Sequence, residues 1–388
     1  MKIISKSEFT ELANFESDCS VTIYLPTHRA GVAVNEQQDS LAFKTALQTV
    51  RKQLQAKGFS NTDIDRVIKP GLKLLDHETF WYELSDGLGV FMANGFFKTV
   101  KLPCTVRDEI LINRHFYVSP LVPLIENGDH FFLLVFSRQF TRFYRGNAFS
   151  MEQIEVEGLP YGIDDVIHFE EKGGKELFRG GGNATGSGVS FHGHSPGTAD
   201  KEVYLAQYLK EVDSTLWKEA LSTEKAPLVL AAVDYMVTIY KQITQYKNIW
   251  QKALIGNFEL EEQNSLFRKA REIIEPFFHE EHRTALKTYY DQSATGLTST
   301  SADEIIPASH YGRISDLFVM KDAHIWGRFD ENDNVLVIHD EKKDGDDCLI
   351  NKAVVKTVAN GGAVHVLEPD RMPDGNKITA FMRYEIAV

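Results

Sequence analysis

Asp347-Cys-Leu-Ile-Asn-Lys-Ala-Val-Val-Lys-Thr-Val-Ala-Asn-Gly-Gly-Ala-Val-His-Val-Leu367 is the stretch on which the reading of the fold turns. Leu349, Ile350, Ala353, Val354 and Val358 recur at helical spacing and make one apolar stripe, so a helix is predicted from Asp347 to Asn360. Asn360-Gly361-Gly362 ends it, because glycine takes the left-handed backbone of a helix terminus without a steric penalty. Ala363 to Leu367 then reads as a strand. Further short strands are expected near Leu317 to Val319, Ile325 to Arg328, Val335 to His339 and Lys377 to Met382. Strand and helix alternating at this scale imply a small α/β sandwich.

Upstream, two other blocks have their own patterns. Cys19 to Leu25 is strand-like and stops at Pro26, and Phe43, Leu47, Val50 and Leu54 give an amphipathic helix between Asn35 and Lys57. A second amphipathic stretch carries Ile64, Val67 and Ile68. Gly87 to Met92 and Phe96 to Lys101 flank Asn94-Gly95, a strong hairpin signal. After Pro120 and Pro123 the pattern restarts as an antiparallel meander, Phe131 to Phe136, Thr141 to Tyr144 and Gln153 to Val156. A helix over Lys201 to Leu221, a strand over Leu228 to Val233 and a helix from Asp234 to Trp250 follow. Helical stretches over Glu259 to Phe278, with a break expected at Pro276, and Glu280 to Gln292 contain the last boundary. The chain therefore reads as an α/β and α+β multidomain protein with domains at residues 1–125, 126–275 and 276–388.

Composition narrows the class. The net charge of −13 opposes attraction of nucleic acid to the whole surface, so RNA contact would rest on local basic groups or on shape. Cys19, Cys104 and Cys348 form neither a CxxC pair nor a disulfide framework, which suits a reducing cytoplasm. The first residues carry no secretory pattern, and apolar runs such as Phe131 to Phe136 are strand-sized, so neither secretion nor a membrane partner is expected.

Arg179-Gly-Gly-Gly-Asn-Ala-Thr-Gly-Ser-Gly-Val-Ser-Phe-His-Gly-His-Ser-Pro-Gly197 places seven glycines within the 18 residues from Gly180 to Gly197. So many missing side chains suit either a solvated linker or a loop whose backbone approaches a ligand closely. Phosphate-loop patterns are absent: no Gly-Lys-Ser/Thr follows, and no GxGxxG joins a strand to a helix. His192 and His194, supplemented by His168, Asp164 or Asp165, would be the ligands of a metal-dependent hydrolase, but no third ligand is firmly placed. No metal and no cofactor is expected. Arg138, Arg142 and Arg145 alternate with Phe140, Phe143 and Tyr144, a pattern that suits RNA phosphates and bases or an ordinary strand pair with aromatics inside. His28, Arg29 and Arg179 are further candidate phosphate contacts.

Ser20-Val-Thr-Ile-Tyr-Leu-Pro-Thr-His28, the Gly-rich loop before Asp200-Lys-Glu-Val-Tyr-Leu-Ala-Gln-Tyr-Leu209, and Ile378-Thr-Ala-Phe-Met-Arg-Tyr384 together resemble the bacterial members of the archaeo-eukaryotic release factor superfamily, relatives of the class I release factor and of Pelota. The resemblance spans nearly the whole chain. It implies an N-terminal α/β domain, a middle domain with an RNase-H-like core, and a C-terminal α/β/α sandwich similar to kink-turn-binding ribosomal proteins. It also implies a translation termination or ribosome-rescue factor whose partners are the ribosome, through rRNA and peptidyl-tRNA, and a translational GTPase. True release factors carry Gly-Gly-Gln in the middle domain, where glutamine helps to place the attacking water. Here Gly181-Gly182-Asn183 stands in that region, with a side chain one methylene shorter. Peptidyl-tRNA hydrolysis would assign loop insertion to Gly181 and Gly182, water placement to Asn183 and auxiliary hydrogen bonding to His192 and His194. The alternative is a Pelota-like, non-hydrolytic ribosome-binding adaptor. The helix after the loop pairs Lys201, Lys210 and Lys218 with Asp200, Glu202, Glu211, Asp213 and Glu219, where a basic rRNA-facing helix would be expected.

Overall fold

The computed structural model describes residues 4–126, 130–166 and 198–385. The chain forms two compact units: residues 1–126 join residues 280–388 in one, and Asn127–His279 form the other. No helix among the described residues is long and apolar enough to cross a membrane.

The first unit begins with α1 (Lys6–Ala13), β1 (Glu16–Pro26), α2 (Gln38–Ala56), α3 (Asn61–Leu75) and strands β2 (Gly87–Ala93), β3 (Phe96–Leu102) and β4 (Glu109–His115). The strands pair antiparallel in the order β3-β2-β1-β4. Asn94-Gly95 makes the expected tight hairpin, with Ala93 paired to Phe96. Phe43, Leu47, Val50 and Leu54 of α2 and Ile64, Val67 and Ile68 of α3 cover the sheet face formed by Val21, Ile23, Val90 and Met92. Strand β4 was not anticipated: Ile110, Leu111 and Ile112 lie between charged residues, and their pairing with β1 shows only in three dimensions.

In the middle unit, β5 (Phe131–Phe136), β6 (Thr141–Gly146), β7 (Met151–Gln153), α4 (Thr198–Leu216), β8 (Leu228–Ala232), α5 (Asp234–Ile243), β9 (Leu254–Ile255) and α6 (Gln263–Phe278) follow in order. The sheet runs β7-β6-β5-β8-β9. The meander β5-β6-β7 is antiparallel, while β8 joins β5 and β9 in parallel. Both faces are covered. Phe132, Leu134, Phe136 and Phe143 meet Leu205, Tyr208, Leu209 and Val212 of α4 and Val237 and Tyr240 of α5. Phe131, Leu133, Val135 and Tyr144 meet Leu266, Ala270, Ile274 and Phe278 of α6. The break expected at Pro276 does not occur; α6 runs on to Phe278, because its buried stripe offsets the roughly 3 kcal/mol that an interior proline costs. The helix expected from Asp234 to Trp250 stops at Ile243.

The C-terminal part of the first unit comprises α7 (Glu280–Asp291), β10 (Thr298–Ser299), α8 (Ala302–His310), β11 (Ile314–Met320), β12 (Trp326–Asp330), β13 (Val335–His339), β14 (Asp347–Cys348), α9 (Leu349–Ala359), β15 (Ala363–Leu367) and β16 (Ile378–Met382). One sheet runs β10-β16-β11-β15 and a smaller one β13-β12-β14. Helix α7 packs Ala285, Leu286 and Tyr289 against Phe318 and Leu367, and α8 packs against α9. Helix α9 begins two residues later than the sequence suggests, because Asp347 and Cys348 pair with Gly327 and Trp326.

The double glycine works as expected. Gly362 N–H donates to Thr357 at 2.9 Å and Gly361 N–H to Val358 at 3.1 Å, a Schellman closure with Gly361 at φ +71°. Nothing lies within 4 Å of a Cβ added at Gly361, so its replacement by alanine tests the backbone alone. Gly361→Ala is expected to lower unfolding stability by about 1 kcal/mol, measured by urea denaturation.

Asn351, buried in α9, ties the two parts of this unit together. Its Oδ1 accepts from Val118 N at 2.8 Å, Ser119 N at 3.1 Å and Ser119 Oγ at 3.0 Å, and its Nδ2 donates to the Phe116 carbonyl at 3.0 Å.

Candidate functional site

Arg179, Gly181, Gly182, Asn183, His192 and His194 lie outside the described residues, as does His168. The structure describes the anchors of the segment that carries them. Val166 before it and Leu205 after it are buried in the same core, on the face of the middle sheet that α4 and α5 cover. Asp165 takes a structural part here: its carboxylate accepts from Tyr161 N at 2.8 Å and Gly162 N at 3.4 Å, closing the turn that leads to Val166. Among the described residues no group of three or more His, Cys, Asp or Glu is arranged to hold a metal ion.

Helix α4 is fixed to the sheet by polar as well as apolar contacts. Tyr208 hydrogen-bonds Thr141 of β6 through its hydroxyl. Burial pushes the Tyr208 hydroxyl up to about 12, against the smaller opposing pull of the Thr141 bond, so the phenol stays neutral. Asp213 lies one further turn along, 2% exposed. It accepts from Tyr240 Oη at 3.1 Å, Thr244 Oγ1 at 2.6 Å and Gln245 N at 2.9 Å, joining α4 to the C-terminal end of α5. The sequence counts Asp213 among the surface charges that offset Lys201, Lys210 and Lys218; the fold removes it from that surface. Lys210 and Glu211 are exposed, and Lys218 pairs with Glu219 at 2.8 Å.

The arginines of the first hairpin do not form one patch. Arg142 lies opposite Val135 and Arg145 opposite Phe132, and these partners belong to the cores on the two different faces of the sheet. Arg142 stacks on Phe140 at 4.9 Å and donates to the Glu259 carbonyl at 3.4 Å. Arg138, in the turn, lies 5.9 Å from the ring of Tyr235. Arg145 is exposed. Phe140, Phe143 and Tyr144 are buried, so the aromatic half of the proposed RNA pattern is committed to the core.

His28 and Arg29 sit in the other unit. His28 Nδ1 lies 2.8 Å from Asp39 Oδ1, and Asp39 also accepts from His28 N at 3.0 Å. Arg29 makes a two-pronged bridge to Asp86, both contacts 2.7 Å, and donates to the Pro103 carbonyl at 3.0 Å. Each is engaged by a carboxylate that secures the loop after β1, which reduces its value as a phosphate contact. The exposed Tyr235 beside Arg138 is a surface feature that sequence reasoning passed over: the two are 97 positions apart in the chain, and only the sheet turn brings them together.

Residues 131–276, essentially the whole middle unit, match the profile of bacterial archaeo-eukaryotic release factor family 7. No curated protein matches the chain in sequence. Among solved structures it is similar to Pelota from Archaeoglobus fulgidus, at 12% identity and a TM-score of 0.37 over 100% of this chain and 95% of that one. It is also similar to an archaeal translation termination factor, at 12% identity and a TM-score of 0.24 over 98% of this chain and 99% of the other. Dom34 of S. cerevisiae aligns at 11% identity and a TM-score of 0.34, covering 78% of this chain and 74% of that one.

Proposed function

We propose that this chain, whose residues 131–276 match bacterial archaeo-eukaryotic release factor family 7, is a member of that superfamily and works as a ribosome-binding rescue adaptor of the Pelota-like kind that does not itself hydrolyse peptidyl-tRNA. The family match over residues 131–276 carries this reading, because it coincides with a unit that has its own two-sided core and so concerns a whole domain. The three-domain division at 1–125, 126–275 and 276–388 is part of the proposal, with a translational GTPase as partner and the cytoplasm as compartment. The three-stranded antiparallel meander continued by two parallel strands supports an RNase-H-like middle domain. A mixed sheet flanked by α7, α8 and α9 supports a C-terminal domain of the kink-turn-binding type.

Two observations favour an adaptor over a hydrolase. The loop offers Gly181-Gly182-Asn183 where release factors carry glutamine, and misplacement by about 1 Å is enough to lose about a hundredfold in rate. Arg142 and Arg145 of the first hairpin lie on opposite faces of the middle sheet, so binding through a few cations and through shape is favoured over binding through a basic surface.

The test is co-sedimentation with ribosomes carrying labelled peptidyl-tRNA and an empty A site, with peptide release read in the same samples. Binding with release no faster than the spontaneous rate is expected, together with a shallow decline of binding as salt rises. Release abolished by the Gly181→Ala, Gly182→Ala double variant would replace the adaptor reading with the hydrolytic one, in which Asn183 places the water and His192 and His194 assist. Failure to co-sediment would end both.

A further inference from the structure

We propose that Cys348 is a modification site, oxidised by hydroperoxides to a sulfenic acid, and that its oxidation loosens the seam between residues 1–126 and the C-terminal part of the same unit. The sulfur lies 3.3 Å from Nδ1 of His324, and Nε2 of that ring lies 2.8 Å from Oε1 of Glu109. The three groups come from separate places: Glu109 opens β4, His324 precedes β12, and Cys348 ends β14 and caps the N-terminus of α9. Carboxylate, imidazole and thiol in a line are the arrangement in which the carboxylate fixes one ring nitrogen and the other shares a proton with sulfur.

The surroundings hold that line in place. The His324 ring stacks on Trp326 at 4.7 Å and 17°, and lies 5.1 Å from the ring of Tyr117. Lys342 sits 4.7 Å from the other component of the wall, the Trp326 ring. Burial opposes a charge on His324, but its hydrogen bonds to Cys348 and Glu109 outweigh that and raise its pKa to about 9. Nδ1 of His324 and the N-terminal end of α9 both adjoin the sulfur, the kind of surroundings that balance negative charge on a reacting sulfur.

The chemistry balances on these groups and one hydroperoxide. The thiolate attacks one peroxide oxygen; the S–O bond forms as the O–O bond breaks, the sulfur losing two electrons to the peroxide. The leaving hydroxide takes the proton of the His324 imidazolium and departs as water. A sulfenic acid and a neutral imidazole remain; one thiol condenses with the sulfenic acid to a mixed disulfide and water, and a further thiol displaces it to restore Cys348. The added oxygen enters a position 2% exposed, displaces the sulfur's bond to His324 and lies three residues before Asn351, whose amide holds Phe116, Val118 and Ser119.

The other cysteines supply an internal control. Burial raises the Cys19 thiol to about 11, and burial likewise raises that of Cys104. Cys104 is the most exposed of the three, so accessibility and activation point to different residues. The full chain would be treated with hydrogen peroxide in the presence of dimedone, and each cysteine quantified by peptide mass spectrometry. Cys348 is expected to label at least about tenfold faster than Cys104, because His324 Nδ1 lies beside its sulfur while burial raises the Cys104 thiol. His324→Gln and Glu109→Gln should each slow Cys348 and leave Cys104 unchanged. Labelling of Cys104 ahead of Cys348 in the unmodified chain overturns the proposal whether or not the variants fold. Oxidised protein that keeps full amide-exchange protection at Phe116–Ser119 overturns the effect on the seam.

Discussion

Asn351→Ala is expected to lower the stability of the first unit by about 3 to 5 kcal/mol, the largest loss from any single exchange considered for this chain. The truncation leaves Val118 N–H, Ser119 N–H and the Phe116 carbonyl inside a buried seam without their Asn351 partner, and each stranded group carries a penalty of about 1 to 3 kcal/mol. The Ser119 hydroxyl also loses its acceptor. Urea unfolding of the full chain, followed by signals from both units, measures the loss. Amide exchange should rise at residues 116–119 before it rises in the middle unit. Asn351→Asp is a sharper control: it keeps the acceptor but exchanges the donor to Phe116 for a buried charge, and it should not rescue stability. A loss below about 1 kcal/mol for the alanine variant would mean that the seam closes by apolar packing alone.

The second large effect is expected at Asp213→Ala, about 3 kcal/mol from the middle unit. The carboxylate is the common acceptor for Tyr240, Thr244 and the Gln245 backbone, and its removal strands three donors at the point where α5 ends. Asp213→Asn retains an acceptor oxygen and should cost about half as much. Thermal unfolding of the full chain, read by near-ultraviolet circular dichroism, separates the two variants. Equal loss in both would show that charge rather than hydrogen-bond geometry matters at this site.

Much of the architecture is legible from periodicity. The stripe of α9, the double glycine after it, the Asn94-Gly95 hairpin and the meander from Phe131 all declare themselves over a few residues, because each depends on local backbone preference and on one buried face. What the sequence conceals is set by partners far along the chain. Pro276 reads as a break, yet Ile274 and Phe278 on either side of it are both buried, and that packing keeps the helix going. The hairpin arginines read either as RNA contacts or as the wet side of an ordinary strand pair, and only the register shows that Arg142 and Arg145 lie on opposite faces. Asp213 reads as surface charge, and Asn351 as one polar residue in an apolar stripe; their roles need a partner strand or helix that no local pattern indicates. The Gly-rich segment is conspicuous by composition, and the structure adds the burial of its flanks at Val166 and Leu205.

The Asn351 seam also sets a timetable for synthesis. The groups it joins are 233 positions apart at Val118. At about 5 to 20 residues per second, the N-terminal sheet must wait roughly 10 to 50 s after leaving the ribosome before its partner emerges. During that interval the middle unit is made in full and can complete its own core. The nascent N-terminal sheet meanwhile carries an unsealed margin at Phe116–Ser119, whose backbone groups acquire their Asn351 partners only when the last quarter of the chain arrives.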